Sequence, residues 1–166
     1  MDATVKLVLS LADALPMSTD PRTIGWLSRA LTHELGAVQQ YLAQGVLARL
    51  WGDDGLAQSL EKNAQDELRH VQVLMEHLIY AGVAPAAGQV APARLGRTPS
   101  DFKESNRFLE TQAVRLYQQA LAHAQRVRDG ERAAVFERLL QEEIEHLHSI
   151  NDQYSESAGA SEKNHD

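Results

Sequence analysis

The chain repeats one spacing of side chains that can bind metal ions, and this repeat limits the folds that it can adopt. In the first half of the chain, Glu34 is followed 33 residues later by Glu67 and, three residues after that, by His70. The second half contains the same set at the same intervals, in the residues Glu110, Glu143 and His146. The sequence therefore predicts a duplicated helical hairpin, each half of which supplies one isolated Glu and one Glu-x-x-His pair.

Each of these four glutamates lies in the apolar stripe of a predicted helix, where Leu or Ile would be expected. In the first helix, for example, Glu34 falls between Leu31 and Val38, in steps of three and four residues. A buried carboxylate without a partner is costly, so four of them at one level of a core require compensation. Two divalent cations would provide it, and a mixed set of carboxylates and imidazoles suits iron or manganese. The three-residue step in Glu-x-x-His places both side chains on one helix face.

Several neighbouring residues have simpler explanations. A third Glu-x-x-His pair, Glu145 and His148, lies on the polar side of its helix and is interpreted as a chance occurrence. Glu142 is likewise displaced from the apolar stripe, by about 100°. Tyr41 and Tyr117 occupy matching positions in the two halves, and each lies about two turns beyond a glutamate of the pattern. For these two tyrosines, hydrogen bonding to the ligands and simple core packing are both open.

Composition narrows the class of protein further. With 166 residues, the chain is long enough for one domain with a continuous core. It contains no cysteine, which excludes disulfides, iron–sulfur clusters and thiol catalysis. The formal net charge is −7 without any Lys/Arg-rich stretch, so no nucleic-acid partner is expected. No apolar run has the length of a membrane span, and Asp13 interrupts the apolar stretch that could imitate a signal peptide. We therefore expect a cytoplasmic protein.

Turn and capping signals divide the chain into an N-terminal extension, a bundle and a tail. The extension, residues 1–20, can form a short amphipathic helix over residues 4–15. Asp20 and Pro21 then predict the start of the bundle, which extends to residue 154. Its four helices are expected at about residues 21–50, 56–81, 99–128 and 131–154. The tail, residues 155–166, is polar and expected to be disordered.

The second and third helices are separated by a segment without periodicity, residues 83–98, which contains four Pro or Gly residues. Sixteen extended residues span roughly 50 Å, whereas a helix of about 27 residues is roughly 40 Å long. The segment can therefore cross the whole bundle. Thr98 and Asp101, on either side of Pro99, resemble a capping box that begins the third helix. Together with the short turns elsewhere, these features predict an all-α fold, a four-helix bundle of two antiparallel hairpins joined by a long crossover.

With these features, the chain resembles a bacterioferritin of the ferritin-like superfamily from about residue 22 to residue 154. The segments that carry the resemblance are His33–Leu35 with Gln40-Tyr41, Asp66–His70, Leu109-Glu110 and Glu142–His146. The resemblance implies that Glu67 and Glu143 bridge two irons. The remaining ligands would divide into Glu34 with His70 on one iron and Glu110 with His146 on the other. It also implies a ferritin-like bundle that oxidises Fe(II) with O2 or H2O2 and stores the ferric product inside a 24-subunit shell.

The chain departs from the family pattern in three places. The methionine that ligates haem in bacterioferritins directly follows the glutamate of the second helix, and here that position is Leu68. We therefore expect no haem. The short fifth helix of the family has no counterpart, and the N-terminal extension is an addition. Because the fifth helix lines a symmetry axis, these two differences leave the closed shell in question. A homo-oligomer is still expected through the first two helices, since Trp26 and Trp51 need cover.

The sequence leaves three functions open. The first is a ferroxidase for iron storage or detoxification. The second is a di-iron or di-manganese oxidase or peroxidase that acts on peroxide or an organic substrate. The third, which the intact ligand set disfavours, is a metal-stabilised bundle without catalytic activity. Since the same fold can support the first two functions, the site and the assembly must distinguish them.

Overall fold

The computed structural model of the chain describes the backbone of residues 19–161 and the side chains of residues 19–150. It contains four α-helices in this part of the chain and no strand. They are α1, Pro21–Leu50; α2, Asp54–Tyr80; α3, Pro99–Arg126; and α4, Gly130–Ser161. The prediction of an all-α four-helix bundle is therefore confirmed. The amphipathic helix expected over residues 4–15 lies outside the described residues.

Capping side chains begin the first three helices, and those of the first and third are the ones that the sequence predicts. The Asp20 carboxylate accepts hydrogen bonds from the backbone N–H groups of Arg22 and Thr23, which satisfies donors that have no partner within α1. Asp53 accepts from the backbone N–H of Leu56 in the same way at the start of α2. At α3, Thr98 and Asp101 form the full capping box, in which each side chain accepts from the backbone of the other residue.

The crossover follows α1 along its length. The Gly88 N–H donates to the Thr32 hydroxyl at 2.8 Å, and the Gln44 amide donates to the carbonyl of Arg94 at 3.0 Å. The segment therefore advances beside α1 and delivers the chain to the start of α3. At the other end of the bundle, His123 near the end of α3 lies 2.7 Å from Asp20 at the start of α1. Helices α1 and α3 are thus antiparallel, and the predicted long crossover is confirmed.

Two apolar clusters fill the bundle, one on each side of its midpoint. One contains Leu27 and Leu31 of α1 with Leu74 and Leu78 of α2, together with residues of α3 and α4. The other includes Ala48, Leu56, Leu60, Phe102 and Ile150. The four glutamates of the repeat lie between these clusters, at the middle of each helix. The site is therefore enclosed by packed side chains at both ends of the bundle.

The last helix is longer than predicted. We expected disorder from Ser155, but α4 continues to Ser161. Extending an established helix adds one hydrogen bond per ordered residue and needs no new nucleation, and residues 155–161 contain no proline to stop it. Polar composition alone is therefore a poor signal for the end of a helix. None of the helices in the described part of the chain is long and apolar enough to cross a membrane.

Candidate metal centre

The structure brings the six residues of the repeat together at the centre of the bundle. One group of potential ligand atoms comes from Glu34, Glu67, His70 and Glu143, and all of these atoms lie within 4.8 Å of one another. A second group, within the same limit, comes from Glu67, Glu110, Glu143 and His146. Glu67 and Glu143 belong to both groups. The arrangement therefore contains two adjacent sets of four donors that share two carboxylates.

The donor atoms of this cluster are buried, and most have no hydrogen-bond partner outside the cluster. Both carboxylate oxygens of Glu67 and of Glu143 are unpartnered, as is one oxygen of Glu34. The Nδ1 atoms of His70 and His146 are unpartnered too. Buried polar atoms without partners are rare in folded proteins, so a group that converges on one point needs a ligand to satisfy it. Oxygen and nitrogen donors in this arrangement fit two divalent cations.

The two imidazole rings face the shared carboxylates with the same nitrogen. The Nδ1 atom of His70 lies 2.7 Å from Glu143 and 3.1 Å from Glu67. The Nδ1 atom of His146 lies 3.0 Å from Glu67 and 3.6 Å from Glu143. The rings are stacked, with centroids 5.7 Å apart. Each Glu-x-x-His pair thus presents its carboxylate and its imidazole on one helix face, as the sequence predicts.

The two tyrosines of the repeat connect the halves of the chain. The Tyr41 hydroxyl on α1 donates a short hydrogen bond to Glu110 on α3. In the matching contact, the Tyr117 hydroxyl on α3 donates to Glu34 on α1. Both tyrosines are almost fully buried. Of the two explanations that the sequence leaves open, the geometry favours hydrogen bonding to the terminal carboxylates.

Glu142 makes a contact that the sequence did not reveal. Its carboxylate lies 2.8 Å from the Nε2 atom of His70, on the side of the ring that faces away from the cluster. Sequence reasoning set Glu142 aside because it lies off the apolar stripe of α4. The internal repeat did hold a signal, since the matching position in the first half of the chain is also acidic, Asp66. There, however, the carboxylate is paired with Arg69.

Electrostatics of the cluster separate its carboxylates into two kinds. Burial would raise the pKa of Glu67 and of Glu143, but contacts with the two histidines lower both pKa values below the usual range. For Glu34 and Glu110, burial and the charges of the shared carboxylates raise the pKa well above the usual value. In the absence of metal, the cluster therefore favours ionisation of the shared pair and opposes ionisation of the terminal pair.

The histidines carry the compensating charge. Burial alone would lower the pKa of His70, but Glu143 and Glu67 raise it to about 12. The same opposing effects raise the pKa of His146 to about 11. Two imidazolium groups thus face two carboxylates when no metal is bound. Cations that bind here must displace those protons.

A cavity of about 320 Å³ lies between α1, α3 and the crossover. Its lining includes His33, Gln40, Arg94, Phe108 and Gln112. The Nε2 atom of His33 is buried without a hydrogen-bond partner, and burial lowers the pKa of this residue. None of the six cluster residues lines this cavity, although its lining residues His33 and Leu109 directly precede Glu34 and Glu110.

An antiparallel four-helix bundle with two shared carboxylates at its centre places the molecule among the helical bundles built around a candidate dinuclear metal centre. Comparison with known proteins identifies the family. The ferritin-like domain model matches residues 24–158, and the chain belongs to the ferritin-like family. This confirms the resemblance drawn from the sequence.

Bacterioferritins are among the most similar relatives. The protein from Rhodobacter capsulatus is 27% identical over 139 residues, which cover 84% of this chain and 86% of that one. The protein from Mycolicibacterium paratuberculosis is 24% identical over 137 residues, covering 82% and 86% of the two chains. The solved R. capsulatus bacterioferritin, described with a metal-free dinuclear site and a haem iron, gives a TM-score of 0.80 over 84% of this chain and 87% of its own. Mycobacterium tuberculosis BfrA gives a TM-score of 0.79 at 23% identity over the same shares, which shows the fold alone.

Proposed function

We propose that the protein is a ferroxidase of the bacterioferritin type, which oxidises Fe(II) with O2 or H2O2 for iron storage or detoxification. One observation carries the proposal: two four-residue donor groups share Glu67 and Glu143, and most of their converging atoms are buried without hydrogen-bond partners outside the cluster. The similarity to bacterioferritins over more than four-fifths of the chain supports iron over other divalent metals.

The residues of the cluster have distinct roles in this proposal. Glu67 and Glu143 would be shared by the two irons, and each terminal set would add one carboxylate and one imidazole. Those sets are Glu34 with His70 and Glu110 with His146. Two Fe(II) ions bound together supply two electrons, enough to reduce O2 to H2O2 or H2O2 to two water molecules, with two protons taken up. The tyrosine hydroxyls hold the terminal carboxylates, and the apolar clusters limit the access of water.

The experiment that tests this function measures Fe(II) oxidation in single turnovers. The metal-free protein receives two equivalents of Fe(II) without oxygen and is then mixed with O2 or H2O2 while the ferric absorbance is followed. Changing Glu67 and Glu143 together to Ala removes both bridges, and we expect rapid oxidation to be lost. Glu145→Gln is the matched control, because it alters the exposed Glu-x-x-His pair on the same helix. Parent-like oxidation by the double variant would mean that the site is wrongly assigned.

A second candidate function is a non-storage oxidase or peroxidase, with iron or manganese, that acts on peroxide or an organic substrate. The cavity between α1, α3 and the crossover favours it, because about 320 Å³ is enough for a small organic molecule. The mass of the native particle and its iron content after aerobic Fe(II) loading distinguish the two functions. A large particle that accumulates many irons per chain supports storage, whereas a small particle that retains two metals per chain supports the alternative.

A further inference from the structure

We propose that the two metal positions of this centre are inequivalent, and that Glu142 makes the position of Glu34 and His70 the tighter one. The inference rests on the proposed dinuclear centre and adds a positioning residue to it. It follows from one break in the internal repeat: each half of the chain has an acidic residue directly before its shared glutamate, but only one of the two contacts a histidine of the cluster.

At the position of Glu34 and His70, the His70 ring has a carboxylate at each of its two nitrogen atoms. Its Nδ1 atom faces Glu143 at 2.7 Å, while its Nε2 atom faces Glu142 at 2.8 Å. A carboxylate that accepts a hydrogen bond from Nε2 fixes the tautomer in which Nδ1 offers its lone pair to a cation. It also prevents rotation of the ring, so less order has to be imposed when the cation binds. The other oxygen of Glu142 lies 3.9 Å from Arg138, which further restrains the carboxylate.

At the position of Glu110 and His146, the carboxylate that corresponds to Glu142 does not contact the histidine. Asp66 occupies the position that matches Glu142 in the repeat, and it forms an ion pair with Arg69. The residue that matches Arg69 in the other half is Glu145, which cannot compete for Glu142 in this way. Among residues 19–150, no ion pair within 4.0 Å joins Asp66 to His146. The His146 ring therefore lacks the orienting contact that His70 has.

The two histidines also differ in burial, and His70 is again the more restrained. The side chain of His70 is 3% exposed, whereas that of His146 is 23% exposed. An imidazole in contact with water samples more orientations, and its lone pair is less well aligned before a cation arrives. The position of Glu110 and His146 is therefore the weaker one and exchanges its ion more readily. The ligand sets of the two positions are chemically identical, so the difference arises from the residues that surround them.

Calorimetric titration of the metal-free, full-length protein with Zn²⁺ tests the inference, because Zn²⁺ reports binding without oxidation. Two binding steps of different affinity are expected. Glu110→Ala should remove the weaker step and Glu34→Ala the tighter one. Glu142→Ala should weaken the tighter step by about 10- to 100-fold, the usual effect of losing a contact that orients a ligand, and leave the other step unchanged. Glu142→Gln should lose less, since its amide oxygen still accepts a hydrogen bond.

Two further measurements separate positioning from a general structural effect. In the Zn²⁺-loaded protein, the Nε2–H proton of His70 should exchange with solvent faster in Glu142→Ala, because it loses its acceptor, while Glu145→Gln, the control on the same helix, should show neither this change nor weaker binding. Arg69→Ala removes the ion-pair partner of Asp66, and it should reduce the difference in affinity between the two Zn²⁺-binding steps. A single step for both ions, or a tighter step unaffected by Glu142→Ala, would overturn the inference alone. Failure to bind two Zn²⁺ ions per chain would instead remove the proposed function.

Discussion

Protons and metal ions compete for the same atoms at the centre of this bundle. Without metal, the raised pKa values of His70 and His146 place two imidazolium groups against the shared carboxylates. The raised pKa values of Glu34 and Glu110 add protons on the terminal carboxyls. Both effects reduce the uncompensated negative charge of the metal-free cluster, which lowers the cost of burying four glutamates before metal binds.

This competition predicts how stability depends on pH. A histidine whose folded pKa is raised contributes stability that is complete below pH 6.5 and is lost as the pH rises toward about 11 to 12. The terminal glutamates act in the same direction, because the cost of ionising them in the core grows above pH 4.5. We expect the melting temperature of the metal-free protein to fall between pH 6.5 and 9.

Over the same pH range, Zn²⁺ should bind more tightly and release protons on binding. Titrations in buffers of different ionisation enthalpy measure the number released. The pH dependence of the melting temperature of the metal-free protein should be weaker in a His70→Ala/His146→Ala variant, because it lacks two of the four groups whose pKa values are raised. A melting temperature of the metal-free parent that rises across this range, or metal binding without proton release, would contradict the prediction.

The residue that follows the shared glutamate of α2 governs a second prediction, the absence of haem. Leu68 has no atom that can ligate iron, and its side chain is 45% exposed on the outer face of α2. The related R. capsulatus protein is described with a haem iron, so the family fold itself is compatible with haem. We expect the purified protein to show no Soret band at stoichiometric strength. Leu68→Met supplies the missing thioether and is the variant most suited to gain one. A stoichiometric Soret band in the parent would show that another residue ligates the haem.

At the scale of helices, local signals were sufficient to place most boundaries. Asp20-Pro21 and Thr98-Pro99 marked the first turns of α1 and α3, because their side chains satisfy donors within a few residues of sequence. The contact of Glu142 with His70 could not be read in this way. It depends on how α4 is rotated against α2, and the periodicity of one helix does not contain that angle. The length of α4 was missed because the polar composition of residues 155–161 suggests disorder, although these residues continue the helix.

The capping box of α3 gives a prediction about stability. The Thr98 hydroxyl accepts a hydrogen bond from the backbone N–H of Asp101, and the crossover ends at this threonine. Thr98→Ala should lower the free energy of unfolding by about 1 kcal/mol through the lost cap. Ser100→Ala is the matched control in the same turn, where the side chain is exposed. Chemical denaturation of both variants checks this. Equal losses in the two would indicate that the first turn of α3, and not the cap, determines the effect.

At the scale of the whole molecule, one face of the bundle lacks cover. Leu42, Val46 and Leu50 follow one another at steps of four residues on α1, and they are 47%, 57% and 78% exposed. An apolar ridge of this kind on a protein with a net charge of −7 is typical of a surface that meets another chain. The ridge lies on α1, one of the two helices through which the sequence predicts the contact between subunits. Homo-oligomer formation through this face remains a prediction.

A charge placed on this ridge tests the assembly. Val46→Glu would bury a carboxylate in an apolar contact, so we expect a shift to smaller species in sedimentation velocity. Val127→Glu is the matched control, because it makes the same change at a residue 39% exposed at the end of α3, away from the ridge. Both variants should retain two Zn²⁺ sites per chain, since all six proposed ligands of a centre lie in one chain. If the parent sediments as a monomer, the storage function fails. If Val127→Glu dissociates the particle and Val46→Glu does not, the subunits meet through α3 and not through the first two helices.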